Sequence, residues 1–467
     1  MPIWLALLDE EAFTMRVFLG LTEVSGFYSH LKRGFDAIGV PAELVTLSLH
    51  RFSYDDRHPS IIVRMAQWAV ERRFSNIHSS PPVRIFWSSL AGITRVNLLV
   101  WALIRFDIFV FCCATSFFRF RELPLLKLLG KKVIYNFHGT DGRCGFMDGF
   151  AEDMFMPERL REGTGYIGPL RDTDTERVKN YKIAAYAALT AFRKKNVNYI
   201  DRYADVIINS PSHGQHHTRP FVQRLVIGMP YMQDAALIEK YQASGNDAEV
   251  MILHSPSYPE GKGSPIIRKA ITSLRAKGHK IRFVEITGRP NREVLELIAQ
   301  CDFVIDQLFS DMAMVGFATE AAFFGKPAIV GGYYAAHQSA DIVAEWIPPT
   351  LFCQPEDIEA ALEKLVVNKE FRKNLGRRAR DFVEARWLAS RSAERMLALV
   401  QGDFPKEWLF NPANCDYILG MGMPKESVKQ VMRGMLINYG IESFMLSDKP
   451  RMEKLIQDFA GDQTVIE

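Results

Sequence analysis

"GFATEAAFFGKPAIVGG", residues 316–332, joins a helical pattern directly to a strand pattern, and it is the clearest αβ unit of the chain. The pattern predicts a helix over about 316–324 and a strand over 326–332. Glu320 is the only charged residue of this stretch before Lys326. Because a buried carboxylate is costly unless it is hydrogen-bonded, Glu320 must either face water or meet a polar partner.

The same alternation of helical and strand patterns runs through most of the sequence. A representative helix is SPIIRKAITSLRAKG, residues 264–278, with Pro265 in its first turn and Gly278 at its end. Alternating units of this kind form parallel sheets, so we predict an α/β fold with two doubly wound units that meet near 225–245. The predicted strands cover residues 15–21, 42–48, 106–112, 131–138, 204–210, 249–256, 280–287, 301–308 and 326–332.

Length and composition indicate the class of protein. A chain of 467 residues is longer than one hydrophobic core usually supports, so about two domains are expected. The 57 basic and 54 acidic residues leave a net charge of +3, which is too small to indicate a nucleic acid or an acidic partner. The content of 48% hydrophobic and 24% charged residues is typical of a soluble globular protein.

Cysteines and apolar segments indicate the compartment. The six cysteines include no CxxC pair and no spacing typical of a disulfide framework or a zinc site. The N-terminus has no basic leader and only a short apolar stretch, so we expect no signal peptide. The most apolar window, Asn97–Phe118, contains Arg105 and Asp107, which favours a helix end followed by a buried strand over a membrane span. These features together predict a cytoplasmic protein.

Three segments fall outside the simple alternation. Residues 144–175 contain five glycines and many charges without any period, which predicts a long, mobile loop. Residues 370–400 are strongly helical, and the tail beyond them contains a helix between Pro424 and Gly440. The predicted division is an N-terminal domain (1–225), a C-terminal domain (226–400) and a helical extension (401–467).

Candidate binding residues directly follow predicted strands, because ligands gather at the carboxyl ends of parallel strands. Gly26 lies in the loop after the first strand, where the amides of the next helix could stay free for an anion; a simple turn glycine is the alternative. His138 and Asp141 follow the fourth strand as a candidate acid, base or hydrogen-bonding pair, with Arg143 beside them. A structural histidine with satisfied hydrogen bonds is the alternative.

Lys262 and Glu320 occupy similar positions in the second half. Lys262 stands between two glycines just before a helix, where a bound anion would relieve its repulsion by the helix dipole; a solvated surface lysine is the alternative. Glu320 lies near the end of the first turn of its helix, where a carboxylate could accept both hydroxyls of a ribose. Three histidines at 213–217 are weak evidence for a metal, and no metal site is predicted.

On these residues, the second half resembles the donor domain of family 4 glycosyltransferases, which have the GT-B fold. The matching features are KG at 262–263, the ITG strand end at 286–288 and above all TEAAFFGKPAIVGG at 319–332. In the first half, TEVSGFYSHL, FHGTD and ADVIINSPS look like the family's first glycine loop, its histidine-bearing strand end and its last N-domain strand. The resemblance covers about 16–400 and implies two Rossmann-like, doubly wound parallel-sheet domains that face each other across a cleft.

The resemblance implies roles for individual residues. Glu320 would bind the donor ribose, and Lys262 the donor diphosphate. Gly26 would approach the phosphate or the acceptor, and His138 would lie beside the transferred sugar. Family members usually need no metal and retain the anomeric configuration, so neither a metal nor a cofactor is expected. The implied residues are His138, Asp141 and Lys262 for catalysis, and Gly26, Lys262, Gly288, Gly316, Phe317 and Glu320 for donor binding.

Two departures from the family pattern concern charged residues. The family's paired glutamates are separated by seven residues, and the position eight before Glu320 is Met312. The family's arginine, five residues before the lysine, would fall at Ser257. Residues that could replace the missing groups are Asp306 or Asp311 for the acid, and Arg143 or Arg289 for the cation.

The predicted function is that of a hexosyltransferase-type enzyme, which moves a sugar from a nucleotide sugar to a glycan, a lipid-linked glycan or another acceptor. A nucleotide-sugar epimerase of the same fold and a noncatalytic sugar-nucleotide-binding subunit stay open as alternatives. Segment 116–132 interleaves aromatics, leucines and basic residues, the composition of a surface that could lie on anionic lipid. An amphipathic helix packed on the sheet is the alternative for that segment.

Overall fold

The computed structural model describes residues 15–47, 58–153, 165–231 and 249–461. Their strands are β1 (Val17–Leu21), β2 (Ala42–Thr46), β3 (Ile108–Cys112), β4 (Lys132–Asn136), β5 (Val206–Asn209), β6 (Phe221–Gln223), β7 (Val250–His254), β8 (Ile281–Glu285), β9 (Phe303–Ile305), β10 (Ala328–Gly331), β11 (Leu351–Cys353) and β12 (Leu409–Phe410). Their helices are α1 (Phe27–Ala37), α2 (Ile61–Ser75), α3 (Pro81–Arg105), α4 (Leu123–Leu128), α5 (Glu176–Tyr203), α6 (Arg224–Ile227), α7 (Ser264–Ala276), α8 (Asn291–Gln300), α9 (Gly316–Phe323), α10 (Gln338–Asp341), α11 (Ile358–Val367), α12 (Lys369–Arg386), α13 (Ala389–Gln401), α14 (Lys425–Tyr439) and α15 (Pro450–Gly461).

The first sheet has the strand order β12-β6-β5-β4-β3-β1-β2. Strands β1 to β6 run parallel, and the residues of the central strands are buried, as their continuous apolar runs require. Successive side chains of each strand enter different clusters: Val17 and Leu19 pack with α1 and α13, whereas Phe18 packs with α2 to α5. Helices therefore cover both faces of this sheet.

The second sheet has the order β11-β10-β9-β7-β8, with all strands parallel. The first sheet contains the equivalent order β5-β4-β3-β1-β2, so both sheets are doubly wound with the same topology. The strand order reverses between β1 and β3 in one sheet and between β7 and β9 in the other, which is where ligands of such folds bind. The predicted α/β fold of two Rossmann-like, doubly wound parallel-sheet units is confirmed.

All nine predicted strands are present, each two to five residues shorter than predicted. Three strands of only two or three residues were not predicted, namely β6, β11 and β12, because such short runs carry no period. The helical stretch 370–400 is two helices, which separate at Trp387. The indole of Trp387 is buried and donates to the carbonyl of Leu225 (3.0 Å), so packing on the first domain ends α12.

After this break the chain returns to the first domain. Helix α13 packs against α1, where the absence of a side chain on Gly34 lets the carbonyl of Ala389 approach. The extension then adds β12 antiparallel to β6, at the edge of the first sheet. Helix α14 packs on α5, so the described part of the extension is built into the first domain rather than attached beside it.

The described part of segment 144–175 differs from the predicted mobile loop. Residues 144–149 are buried between α5 and the extension, while 154–164 lie outside the described residues. Gly145 faces the backbone of Thr190, and Gly149 faces the backbone of Gly422, with no room for a side chain at either glycine. The glycines that suggested a loop therefore serve close packing here.

Candidate functional site

The reversal point of the second sheet brings together Lys262 and an acid. The ammonium of Lys262 lies 3.3 Å from the carboxylate of Asp306, which directly follows β9 and is buried. The loop that carries Lys262 ends at Gly263, whose φ of +75° is the left-handed conformation that favours glycine. A side chain at Gly263 would also collide with Leu308, so this glycine is required to seat the lysine loop over β9.

The first turn of α9 points at the same place. The amide of Ala318 donates to Asp306 (3.3 Å). The amides of Gly316 and Phe317 donate to no protein acceptor within the described ranges. Because the N-terminal amides of a helix carry partial positive charge, this turn can accept an anion beside Lys262.

Glu320, one turn into α9, has the polar partner that its sequence context requires. Its Oε1 accepts a hydrogen bond from the side-chain amide of Asn291 in α8 (2.9 Å), and its side chain is only half-buried. Burial raises the pKa of Glu320 to about 7, while Asn291 and Lys262 favour the ionised form and Asp306 opposes it. In the part of the chain that the structure describes, no donor contacts the other carboxylate oxygen, and the pKa of the group lies near neutral pH.

His138 lies just past the carboxyl end of β4 in the first domain and is held in one neutral tautomer. Arg224 donates to its Nδ1 (2.7 Å), so the ring proton lies on Nε2, which is 2.8 Å from the hydroxyl of Tyr28. Burial and the neighbouring Arg224 hold the pKa of His138 well below its usual range. His138 is thus a neutral hydrogen-bonding group rather than a general acid at neutral pH.

Arg224 was missed by the sequence reasoning, because it lies in a four-residue helix without any motif. Its guanidinium is buried, donates to the carbonyl of Phe137 as well as to His138, and forms no ion pair within the described ranges. The sulfur of Met229 lies 3.8 Å from it, and Met229 also borders Gly316 at the start of α9. Arg224 therefore places a buried positive charge close to the start of α9 in the second domain.

Asp141 lies beside His138 but binds backbone. Its carboxylate accepts the amides of Cys113 and His138 (2.8 Å each) and the hydroxyl of Tyr135 (3.2 Å). The predicted acid–base pair with the imidazole ring does not form. Asp141 is instead a positioning residue, which fixes the strand end that carries His138.

The glycine loop after β1 is also occupied by an internal acid. Gly26 adopts the left-handed conformation at the start of α1, as a turn glycine does. The carboxylate of Glu23 accepts the amides of Val24 (2.7 Å), Tyr28 (3.1 Å) and Ser29 (2.7 Å). The expectation that these helix amides stay free for an anion is therefore wrong, because Glu23 supplies the anion.

We expect the substitution Glu23→Gln to lower the free energy of unfolding by about 1–2 kcal/mol, since an amide cannot accept all of these bonds. If a nucleotide binds at Lys262 rather than at Gly26, its binding should be unchanged. Chemical denaturation and nucleotide titration check the two parts. Glu71→Gln, at an exposed position of α2, is the matched control and should leave stability within about 0.5 kcal/mol. Lost nucleotide affinity in Glu23→Gln would place the phosphate at Gly26 after all.

Three residues that could replace the charged groups missing from the family pattern are paired with other residues: Arg143, Asp311 and Arg289. Arg143 and Asp311 form a buried ion pair across the domains (2.5 Å), and His213 contacts the same carboxylate (2.5 Å). Arg289 is exposed and pairs loosely with Glu293 on α8 (3.8 Å). Asp306 is therefore the only one of the proposed replacements that the structure brings to Lys262 and Glu320. Gly288, after β8, is exposed and adopts a left-handed turn.

The histidine cluster at 213–217 is structural in the described residues. His213 contacts Asp311, and His217 contacts Asp201 (2.7 Å) and Asn209 (2.8 Å). Among the residues that the structure describes, no group of three or more acidic, histidine or cysteine side chains could hold a metal ion.

No family model matches this chain, and no curated protein sequence matches it. The chain is similar to a solved α-glucosyltransferase in complex with UDP and a 13-mer DNA (12% identity, 83% of this chain and 100% of that chain, TM-score 0.45). It is also similar to Alr3699/HepE from Anabaena in complex with UDP and glucose (11% identity, 83% and 100%, TM-score 0.41). A third likeness is to the UDP-GlcNAc 2-epimerase of Methanocaldococcus jannaschii (10% identity, 83% and 99%, TM-score 0.33).

Proposed function

We propose that this protein is a glycosyltransferase, which transfers a sugar from a nucleotide-sugar donor to a glycan, a lipid-linked glycan or another acceptor. One observation carries the proposal. Lys262, Glu320 and the unpartnered first-turn amides of α9 converge at the reversal point of the second sheet. Lys262 and the helix amides can bind a diphosphate, and the carboxylate of Glu320 can accept ribose hydroxyls. Together they match the groups of a nucleoside diphosphate.

In this proposal, Glu320 binds the ribose of the nucleoside. Its free carboxylate oxygen accepts ribose hydroxyls, while Asn291 holds the other oxygen. The diphosphate then lies between Lys262 and the amides of Gly316 and Phe317. Because Asp306 is the present partner of Lys262, the donor competes with an internal carboxylate for that ammonium.

The sugar end of the donor faces the first domain. There His138, a neutral ring held by Arg224 and Tyr28, would lie beside the transferred sugar. Arg224 behind it adds a positive charge that favours the departing diphosphate. In this mechanism the leaving-group charge is stabilised by side chains and helix amides, so we propose a metal-independent reaction; retention of the anomeric configuration is proposed from the family resemblance alone.

The substitution Lys262→Met is expected to lower the rate of sugar transfer about 100-fold, because it removes the cation nearest the diphosphate. The donor is first identified by thermal shift against UDP-, GDP-, ADP- and dTDP-sugars, and initial rates are then compared. Lys262→Arg should keep part of the activity, since it retains the charge. Lys277→Met, at an exposed surface ion pair with Glu359, is the matched control. Wild-type rates in Lys262→Met, with the fold intact, would contradict the proposed site.

One observation supports a noncatalytic nucleotide-binding protein as the second candidate. Asp306 already occupies both the ammonium of Lys262 and one amide of α9, so part of the phosphate site is filled by the protein. Nucleotide binding without transfer across a broad acceptor panel would favour this candidate. Incubation with UDP-N-acetylglucosamine and no acceptor detects epimerisation, the remaining alternative.

A further inference from the structure

Helix α3 carries a continuous apolar stripe that faces solvent. Its members are spaced by three, four or seven residues and so lie on one side of the helix. Ile93 is 59% exposed and Ile104 is 80% exposed, although isoleucine is usually buried. The exposed stripe comprises Val83, Phe86, Ile93, Val96, Val100 and Ile104.

Helix α2 packs along α3 and has exposed apolar side chains of its own. Trp68 of α2 meets Trp87 of α3 edge to face, with ring centroids 5.5 Å apart. The buried residues shared by these helices towards the tip are few and small, and they form a cluster separate from the core of the domain: Ala69, Val70 and Ala91. We call residues 61–105 the α2–α3 hairpin; its solvent-facing apolar side chains on α2 include Ile61, Met65, Trp68 and Phe74.

The hairpin is too long to be covered by its sheet. Helix α3 has 25 residues and is about 37 Å long, whereas the five residues of β3 span about 17 Å. Only two residues separate the end of α3 from the start of β3, and its buried residues towards that end, Leu98, Leu99 and Ala102, join the domain core. The N-terminal half of α3 therefore projects past the carboxyl edge of the sheet, the edge at which His138 lies.

The charges of the hairpin are almost all positive. It contains six arginines and one acidic residue, which gives it a net charge of +5 within a chain whose total is only +3. Four of these arginines are exposed beside the apolar side chains: Arg64, Arg72, Arg73 and Arg84. Apolar stripes with interfacial tryptophans and flanking arginines fit an anionic bilayer surface, where the rings and aliphatic chains enter the headgroup layer.

We propose that the α2–α3 hairpin is a membrane-docking surface that inserts its apolar stripe into the headgroup region of an anionic phospholipid bilayer. This surface is distinct from the nucleotide site and does not depend on the proposed activity. It lies on the same sheet face as segment 116–132, because residues of α3 and α4 share one core cluster. In that segment Phe117 and Phe120 are buried in the core, whereas Leu125, Leu128 and Leu129 are exposed and widen the surface.

Helix α3 is also long and apolar enough to cross a membrane by length and composition, which the sequence interpretation did not anticipate. The charges of the hairpin and its short link to the sheet favour a position on the bilayer surface instead. Helix α2 carries Glu71, Arg72 and Arg73 near its C-terminal end. Only two residues separate the end of α3 from the first residue of β3. A pair of helices so charged and so anchored cannot enter the hydrocarbon core together.

Vesicle flotation of the full chain tests the proposal. We expect the protein to float with vesicles of phosphatidylcholine containing about 30% phosphatidylglycerol, and to bind at least tenfold more weakly to phosphatidylcholine alone. Raising the salt concentration from about 0.1 M to 1 M should weaken the binding, because it screens the arginines. Ile93→Gln/Ile104→Gln should reduce the affinity for the anionic vesicles at least tenfold.

The matched control is Val367→Gln/Ile437→Gln, which changes two other exposed helical residues (61% and 76% exposed) and should bind vesicles like the wild type. Thermal unfolding and nucleotide binding of both double variants should be unchanged, so failure of docking is distinguishable from failure of the proposed activity. Equal flotation of the two double variants would overturn the proposal. So would a stable dimer in sedimentation velocity that only the hairpin variant abolishes, since a second copy would then cover the stripe.

Discussion

Replacing Asp311 by alanine is expected to lower the free energy of unfolding by about 3–5 kcal/mol, which is a large part of the stability of a typical domain. The reason is the charge left behind. Arg143 is buried and makes its shortest contact with Asp311, and His213 shares the same carboxylate. Because Arg143 and His213 belong to the first domain and Asp311 to the second, the loss also removes a bond between the domains.

Chemical denaturation at pH 7 measures this loss, with Asp311→Asn and Asp36→Ala as companions. Asp311→Asn keeps the shape and one acceptor, so it should cost less than alanine. Asp36→Ala removes an exposed pair with Lys32 and should cost less than about 1 kcal/mol. The ion pair with Arg143 and the hydrogen bond with His213 hold the pKa of Asp311 far below its usual range, so this contribution is present above pH 4 and is lost only in strong acid. Wild-type stability in Asp311→Ala would show that the ion pair does not join the domains.

The second large effect is expected at Glu320. The substitution Glu320→Gln should lower nucleotide-sugar affinity about 100-fold, because the neutral amide forms weaker bonds with ribose hydroxyls than a carboxylate does. The same substitution should stabilise the empty protein at pH 8. The amide keeps the bond from Asn291 and removes a half-buried charge. A pKa of about 7 against the usual 4.5 corresponds to about 3 kcal/mol, which the partial solvent exposure of the side chain lowers.

The pH dependence of the stability follows from the direction in which folding shifts the pKa of Glu320. A carboxyl whose pKa is raised on folding contributes its full stability below its unfolded pKa and loses it as the pH rises through about 7. The stability gained by Glu320→Gln should therefore shrink from pH 8 towards pH 5, whereas donor affinity of the wild type should rise from pH 6 to pH 8. Isothermal titration and thermal unfolding at each pH measure both. Glu293→Gln, on exposed α8, is the control and should change neither.

If Glu320→Gln bound the donor like the wild type at pH 8, the ribose would have to lie elsewhere. If its stability matched the wild type at every pH, the carboxylate would be well solvated. The two readouts are independent, so a purely structural role for Glu320 would alter stability without altering donor affinity.

The sequence predicted the parallel-sheet framework because central strands buried on both faces must be continuous apolar runs. It also predicted that Glu320 needs a polar partner, and the structure supplies Asn291 from the neighbouring helix. The resemblance placed Lys262 and Glu320 in one site, and the structure brings both close to Asp306. The framework and the proximity of these side chains were predictable because they rest on local patterns and on the shared carboxyl edge of parallel strands. The donor-binding roles of Lys262 and Glu320 stay a prediction.

Charge pairing between distant segments was not predictable. Arg143 and Asp311 are 168 residues apart, and only the packing of the two domains buries them together. Glu23 looked like any loop acid, yet the turn at Gly26 folds it onto the amides of α1 and closes an anion site that the glycine pattern suggested. Arg224 carries no motif, and its proximity to His138 arises from the order of strands in the sheet.

The sequence by itself determined two doubly wound αβ units and the residues that follow their strands, because the period of apolar residues fixes each element and the carboxyl edge fixes where loops converge. Tertiary structure alone decided which of those residues have free hydrogen-bonding capacity. Glu23, Asp141 and Asp311 are satisfied inside the protein, whereas Glu320 and the first amides of α9 keep capacity for a ligand. Exposure of the α3 stripe was likewise a tertiary outcome, since an apolar helix is covered or bare only according to what packs against it.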